Sequence, residues 1–473
     1  MRSTGGGWWN WSARFLQSRP SPAAALEFER ALAEVTREAA RDVVEVVYNA
    51  LEPDDAGEQP THVQHDAGEY RRLNAKTPNR HVATLFGAIA LWRRGYRYIE
   101  RDVTEPTIFP LEMQLGLVVG ATPALACEAV HAMAAAGATQ RIVLAMLKAR
   151  HNVDMGAKRL RDLTEQVAVA MTPHRREHQT RQVVAWLEKA RQSPGKHRPA
   201  LVVGRDGITL ANRPHGYFEV ATTATLSVYD RKGKRIGTVY LAYAPELGQQ
   251  TMTDELTALV TDVLRLWSGP PPQLVYVTDA GDNETKYYRQ VLKKLRHPCT
   301  GKKLAWRWIV DYYHAALRLT TMAESLFGAG RDATAWTRKM QKLLLKPNGP
   351  FRVLHSAAAL KKRRTMSRAK RTEFDKAYNY LRQRTKHMQY AKFRASGLPI
   401  GSGVTEAACK TVFTQRLKLS GMRWSTHGAQ TILDLRVIHL SGIWDAAYRA
   451  AITSYRQPQT PAPIDAFNHR KAA

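Results

Sequence analysis

From residue 198 onward the hydrophobic period of this chain shifts from helical spacing to strand spacing, and strands then alternate with helices. ALVVGRDG opens as a short buried strand. GYFEVATTATLSVYD and RIGTVYLAYAP alternate apolar and small polar residues about the turn Arg231-Lys232-Gly233-Lys234, which specifies a β-hairpin. TDELTALVTDVLRLW has the spacing of an amphipathic helix. QLVYVTD is a strand followed by the helix NETKYYRQVLKKL, and LAWRWIVD is a strand followed by the helix YYHAALRLTTMAESLF. The resulting order, β-β-β-α-β-α-β-α, restricts this part of the chain to an α/β architecture.

Two of these strands end in an acid, at Asp279 and Asp311, and the first presents Asp206 at its C-terminal end. Strand ends are rigid and open to solvent. A few carboxylates placed there form a hard oxygen donor set of the kind that suits Mg²⁺, with Mn²⁺ as its substitute. Asp206, before Gly207, also has the character of a turn former. Asp282, in TDAGDN, is an alternative to Asp279, and Asp230, in the hairpin turn, is a weaker rival to Asp206.

A further acid stands in GLPIGSGVTEAACKTVFTQRLKLSGMRW, residues 397–424. Glu406 follows a Gly-Ser-Gly turn and opens a basic helix, where a negative charge is favoured by the helix dipole. Lys410, Arg416 and Lys418 lie on that helix, and Arg423 and Trp424 come just after it. An acid among so many cations reads as a metal ligand surrounded by groups that hold phosphates. A capped surface helix with solvated lysines is the plainer alternative.

The chain of 473 residues carries 71 Lys+Arg against 41 Asp+Glu, a net charge of +30. That excess points to a polyanion, with nucleic acid the first candidate. No run of 18 apolar residues exists, so a membrane span is not expected. The apolar stretch near the start is too short for a signal peptide. Cys127, Cys299 and Cys409 form no CxxC pair, so neither a disulfide framework nor a cysteine zinc site is indicated, and a reducing cytoplasm is the expected compartment.

Upstream of 198 the chain reads as a long amphipathic helix over 22–51, within an N-terminal segment and linker at 1–66. A β-hairpin region follows at 67–110, with its turn at Arg93-Arg94-Gly95. A helical region at 111–197 contains two helices across the turn His151-Asn152-Val153, the second capped by Asp154. That pair suits a helix-turn-helix DNA reader with Lys158, Arg159 and Arg161 toward DNA, although many helical bundles share the pattern. Between 361 and 394, 13 Lys/Arg stand against 2 Asp/Glu. KKRRTMSRAKR in this stretch, with Lys361, Lys362, Arg363 and Arg364, is dense enough to track a phosphate backbone. Residues 451–473 read as a flexible tail.

The order of elements, with acids on the first strand, the fourth strand and a late helix, resembles the ribonuclease H-like core of DDE transposases and integrases. Asp311-Tyr312-Tyr313-His314 fits the Asp-or-Cys-x-x-His motif of Mutator-like bacterial insertion-sequence transposases. GLPIGSGVTEAACK and SGMRW look like the segment around the last catalytic Glu of the same group. The resemblance covers about 198–446. It implies an α/β ribonuclease H-like catalytic domain at 198–324 and 396–450, an all-α basic insertion at 325–395, and an N-terminal, mainly helical DNA-binding region. Carried over residue by residue, Asp206 matches the first acid, Asp279 the second and Glu406 the third, at spacings of 73 and 127 residues. Asp311 and His314 are supporting groups, or else a helix N-cap with a packed His. Lys410, Arg416, Arg423 and Trp424 would hold DNA near the break, although a lone Trp is more often core. The implied activity is metal-dependent cleavage at terminal inverted repeats and joining of the 3′-hydroxyl to target DNA. The implied partners are double-stranded DNA and further copies of the chain. A structure-specific nuclease of the same fold, or a non-catalytic transposase-derived DNA-binding protein, is the alternative.

Overall fold

In the computed structural model the chain is described over residues 16–17, 21–66, 68–99, 105–211 and 218–454. It divides into two compact units: residues up to Met133 with Ala138–Met171 and the segment from Tyr448, and Ala134–Gly137 with Thr172–Ala447. Most of the expected N-terminal segment before residue 21, and the expected tail from residue 455, lie outside the described residues. Among the described residues no helix is long and apolar enough to cross a membrane.

In the first unit, helix α1 (Pro22–Asn49) starts at Ser21, whose hydroxyl accepts from the Ala24 amide. Strands β1 (His62–His65), β2 (Gly68–Thr84) and β3 (Gly87–Tyr98) form an antiparallel sheet in that order. The turn of the main hairpin is at Leu85-Phe86, not at Arg93–Gly95. Arg93 and Arg94 pair in mid-strand with Thr77 and Lys76. A charged pair read as a turn lies inside because its charge is answered there. The buried Arg94 guanidinium donates to the carbonyls of Pro53 and Asp54, and its amide donates to Glu52. The stretch expected to be a linker therefore supplies acceptors and a strand to the unit's core.

Helices α2 (Pro110–Gln114), α3 (Pro123–Ala134) and α4 (Gln140–His151) follow. Asp154 does not cap the next helix. It pairs with Lys148 at 2.8 Å, and α5 begins at Ala157 and runs 36 residues to Gln192, past Pro173.

The second unit is built on a five-stranded sheet of order β6-β5-β4-β7-β8: β4 (Ala200–Ala211), β5 (Phe218–Tyr229), β6 (Arg235–Tyr243), β7 (Gln273–Thr278) and β8 (Trp306–Val310). The first three are antiparallel neighbours, and β4, β7 and β8 are parallel. Val203, Leu226, Tyr276 and Ile309 belong to its core, against helices α6 (Gln250–Leu266) and α8 (Tyr312–Phe327). Between β7 and β8 lies α7 (Asp282–Tyr287), which continues as a π-helical turn. After α8 come α9 (Arg331–Leu344), α10 (Gly349–Arg363), α11 (Arg368–Arg384) and α12 (Tyr390–Ala395). Then α13 (Gly403–Ala408) widens into a π turn at Cys409–Thr414 before α14 (Thr426–Leu440).

Strand β4 does not end at Asp206. It pairs with β7 only over Ala200–Gly204 and continues to Ala211 on β5, with Asp206 opposite Thr223. Asp206 thus stands where one neighbour of β4 has ended and the other has not.

Candidate metal and nucleic-acid site

Sheet register collects the acids. Gly204 pairs with Val277, and Thr278 with Val310. Extending those registers by two residues and by one sets Asp206, Asp279 and Asp311 in a single row across three parallel strands, whose spacing is about 4.8 Å. The Asp311 amide still donates to Thr278 O at 2.8 Å, so the ladder holds up to the last member of the row.

Helix α13 brings Glu406 to this row, and a glycine makes the approach possible. A Cβ on Gly204 would lie 1.9 Å from Thr405 Oγ1 and 2.8 Å from Thr225 Oγ1. With no side chain there, the buried Thr405 and Thr225 hydroxyls meet at 2.9 Å and fasten α13 to the sheet. Ser402 works at the other end. Its amide donates to Asp311 Oδ2, and its hydroxyl donates to Glu406 Oε1 at 3.1 Å. At the π turn after α13 the buried Arg436 guanidinium donates to the Thr411 and Val412 carbonyls.

Four carboxylates and an imidazole share the space. Asp206 Oδ2 accepts from the Cys409 thiol at 3.4 Å, and Oδ1 from the Gly207 amide at 2.8 Å. Asp279 Oδ1 accepts from the Gly281 amide at 2.9 Å. Asp311, fully buried, caps α8 through the His314 amide at 2.8 Å. His314 Nδ1 lies 3.3 Å from Asp311 Oδ1 and 3.5 Å from Glu406 Oε1. Burial raises the Asp206 carboxyl above its ordinary range, and the negative charge of Asp279 adds to this. Burial acts the same way on Asp311, but hydrogen bonds from His314 and Ser402 outweigh it and hold that carboxyl below its usual range. His314 is raised by its hydrogen bond to Asp311, with Asp279 and Glu406 contributing. Burial pushes the Cys409 thiol far up, helped by Asp206, Glu406 and Asp279. Asp206, Asp279 and Glu406 therefore lie within electrostatic reach of common neighbours.

Asp282 stands apart. It is exposed at the start of α7, whereas Asp279 directly follows β7 and stands in the middle of the row. Asp230 belongs to the hairpin turn, where it accepts from the amides of Lys232 and Lys234.

Sequence reasoning missed Glu284, which is buried one turn into α7. Burial, with Asp279 and Asp206 adding to it, pushes its carboxyl up to about 7. Asp279 and Glu284 flank Gly281, where a Cβ would lie 2.5 Å from one carboxylate and 3.4 Å from the other. It also missed the clamp from the basic insertion. Tyr380 donates to Asp279 O at 2.5 Å, and Arg384 to Ala280 O at 3.1 Å. They hold a turn whose Ala280 sits at φ 61°, a left-handed conformation that costs a non-glycine residue of order 1 kcal/mol. Tyr390 does the same for Val310 O at 2.9 Å. A Tyr or Arg on an amphipathic helix carries no signal of what it will touch 100 residues away. A Glu two residues beyond Asp282, in a helix facing the sheet, did offer one.

The residues read as DNA contacts separate into two sets. Lys158, Arg161, Lys362, Arg363, Lys410 and Arg423 are exposed. The others are engaged internally. Arg159 donates to Val119 O and His81 O, both at 2.9 Å. Arg416 is buried, with its guanidinium over the Trp424 ring at 5.3 Å, and the Trp424 indole donates to Leu417 O. Lys361 pairs with Asp375 at 2.5 Å, and Arg364, although exposed as a residue, lays its guanidinium over Phe327 at 4.3 Å. Long basic side chains with flat or aliphatic stems pack well, so charge alone does not place them outside. Lys361–Arg364 nonetheless line a concavity of about 880 Å³ together with Arg371 and Arg382.

No protein-family model matches this chain, and no curated protein matches it.

Proposed function

We propose that this protein is a DDE-type DNA transposase of a bacterial insertion sequence, with Asp206, Asp279 and Glu406 as its catalytic acids and Mg²⁺, or Mn²⁺ in its place, as its cation. What supports this most is the convergence of those three acids, from two neighbouring strands and a late helix, on Cys409 and His314. The donor set fits the cation. Asp279 and Glu406 each keep one oxygen outside the hydrogen bonds described above, Asp206 meets only a long thiol contact on Oδ2, and like charges this close favour a counter-cation. Asp206, Asp279 and Glu406 would hold divalent cations, which when bound would supply activation of the attacking oxygen and stabilisation of the leaving oxygen in an in-line displacement.

The chain's own residues do the rest. Row register and the Tyr380–Arg384 clamp hold Asp279 rigidly, and the Thr405–Thr225 bond holds Glu406. Rigid support of this kind is what a displacement needs if its partners are to meet in line. Exposed Lys362, Arg363, Lys410 and Arg423 neutralise phosphates of the bound duplex, and Lys158 and Arg161 lie on the helix proposed to read the terminal repeats. Two copies of the chain, one on each element end, complete the assembly.

The test is a strand-transfer reaction with labelled element ends and Mg²⁺. The expected result is cleavage and a joined product from the wild type. Asp206→Asn, Asp279→Asn and Glu406→Gln should give neither while binding ends with nearly unchanged affinity. Cleavage without joining would make the protein a structure-specific nuclease. End binding with no cleavage by wild type in Mg²⁺ or Mn²⁺ would leave a DNA-binding protein only.

A further inference from the structure

We propose that Asp311, His314 and Glu406 form a cation site of their own, one that takes a transition cation of the Mn²⁺–Zn²⁺ range in preference to Mg²⁺. One ligand atom from each lies within 4.8 Å of the other two. The His314 nitrogen is 3.3 Å from Asp311 Oδ1 and 3.5 Å from Glu406 Oε1. Ligands bound about 2.1 Å from one ion stand roughly 3.0–3.4 Å apart at octahedral or tetrahedral angles. The two spacings already present are close to those an ion requires.

The ligands are also held as ligands are held. Asp311 is pinned by the amides of His314 and Ser402, and Glu406 by the Ser402 hydroxyl. One residue thus orients two carboxylates from behind, as the outer shell of a metal site does. A Cβ on Gly401 would lie 3.0 Å from the Tyr313 ring and 3.5 Å from Asp311 Oδ2, so the chain passes close behind the pocket. His314 and Glu406 are partly exposed, which leaves an ion a way in.

The imidazole decides the selectivity. Mg²⁺ prefers oxygen and keeps its water, whereas a nitrogen donor beside two carboxylates suits later first-row cations. Asp206 and Asp279 offer oxygen only, so the two halves of the cluster differ in the ion they favour, with Glu406 between them. This inference rests on the three residues and not on the transposase reading. Its readout is binding, and it stands or falls whatever the strand-transfer assay gives.

The experiment uses the full chain without DNA. Free Mn²⁺ is titrated by electron paramagnetic resonance, and the bound ion is examined for nitrogen coupling by electron spin-echo modulation. Wild type should show a bound Mn²⁺ coupled to one imidazole nitrogen, displaced by an equimolar amount of Zn²⁺ but not by a hundredfold excess of Mg²⁺. His314→Gln should remove the nitrogen signal and weaken that site at least tenfold, with an unchanged thermal transition. Asp206→Asn should keep the signal, and Glu406→Gln should weaken it. Bound Mn²⁺ with no nitrogen coupling in wild type, or coupling that survives in His314→Gln, overturns the proposal. Loss of the signal in Asp206→Asn but not in Glu406→Gln also overturns it, by moving the site to the Cys409 side.

Discussion

Replacing Gly204 by Ala should detach the helix that carries Glu406. The added Cβ would stand 1.9 Å from Thr405 Oγ1, 2.8 Å from Thr225 Oγ1 and 3.1 Å from Thr405 Cβ. Turning Thr405 about its Cα–Cβ bond removes the first clash. It does not move Cβ, and it breaks the 2.9 Å hydroxyl pair that joins α13 to β5. Thr225 is then a buried hydroxyl without its partner, at a cost of about 1–3 kcal/mol. The residual overpacking adds about 1–3 kcal/mol, because Gly204 is in a central strand flanked on both sides. A loss of roughly 2–6 kcal/mol is expected in urea unfolding followed by circular dichroism. Thr405→Ala alone leaves the same orphaned hydroxyl, so the two changes share a cause and should fall short of additivity by about 1 kcal/mol or more. A Gly204→Ala variant within about 0.5 kcal/mol of wild type, or strict additivity with Thr405→Ala, would refute the claim that this glycine sets the position of Glu406.

Three further outcomes follow from the same geometry. Lys362→Ala with Arg363→Ala should lower the slope of log affinity against log salt by about 1.8 for any duplex, whereas Lys361→Ala, whose ammonium is already paired with Asp375, should leave the slope unchanged in the same titration. Glu284 releases its proton near pH 4.5 when unfolded and at about 7 when folded, so the folded state holds a proton that the unfolded state loses and stability falls as pH rises across that window. Glu284→Gln should therefore flatten the pH dependence of urea unfolding between pH 4.5 and 7 and be the more stable protein at pH 8 in EDTA, by on the order of 3 kcal/mol at most; a variant less stable than wild type at pH 8 would show that the carboxylate is stabilised there. Arg159→Ala should lower the melting temperature, because two carbonyls lose their donor, while Lys158→Ala with Arg161→Ala should leave melting unchanged and weaken binding to the terminal repeats more than binding to random duplex.

What was legible in the sequence is what depends on neighbours in the chain. The apolar runs that end at Asp279 and Asp311, the hairpin turn at Asp230–Lys234 and the amphipathic helices are local patterns, and the structure has them where the pattern puts them. The elements misplaced were those in which a distant partner reverses a local preference. Arg93 and Arg94 look like a turn until Glu112 is found to answer the first, and Glu52 with two carbonyls of the preceding segment the second. Arg416 looks like a phosphate contact until Trp424 covers it. The candidate site divides along the same line. Asp279, Asp311, His314 and Glu406 could be singled out because strand ends and helix starts announce themselves, and Asp206 because it follows an apolar run, although β4 continues past it. Register is what makes them neighbours, and it depends on which strands pair. With β4 and β7 parallel over Ala200–Gly204, and β7 and β8 in step from Leu274, three acids 73 and 32 residues apart fall into one row. A slip of one residue on any of these strands would turn its acid to the opposite face. The wide spacing of the acids in sequence is therefore no obstacle to a compact site, and the insertion that separates Asp311 from Glu406 returns Tyr380, Arg384 and Tyr390 to the ends of β7 and β8.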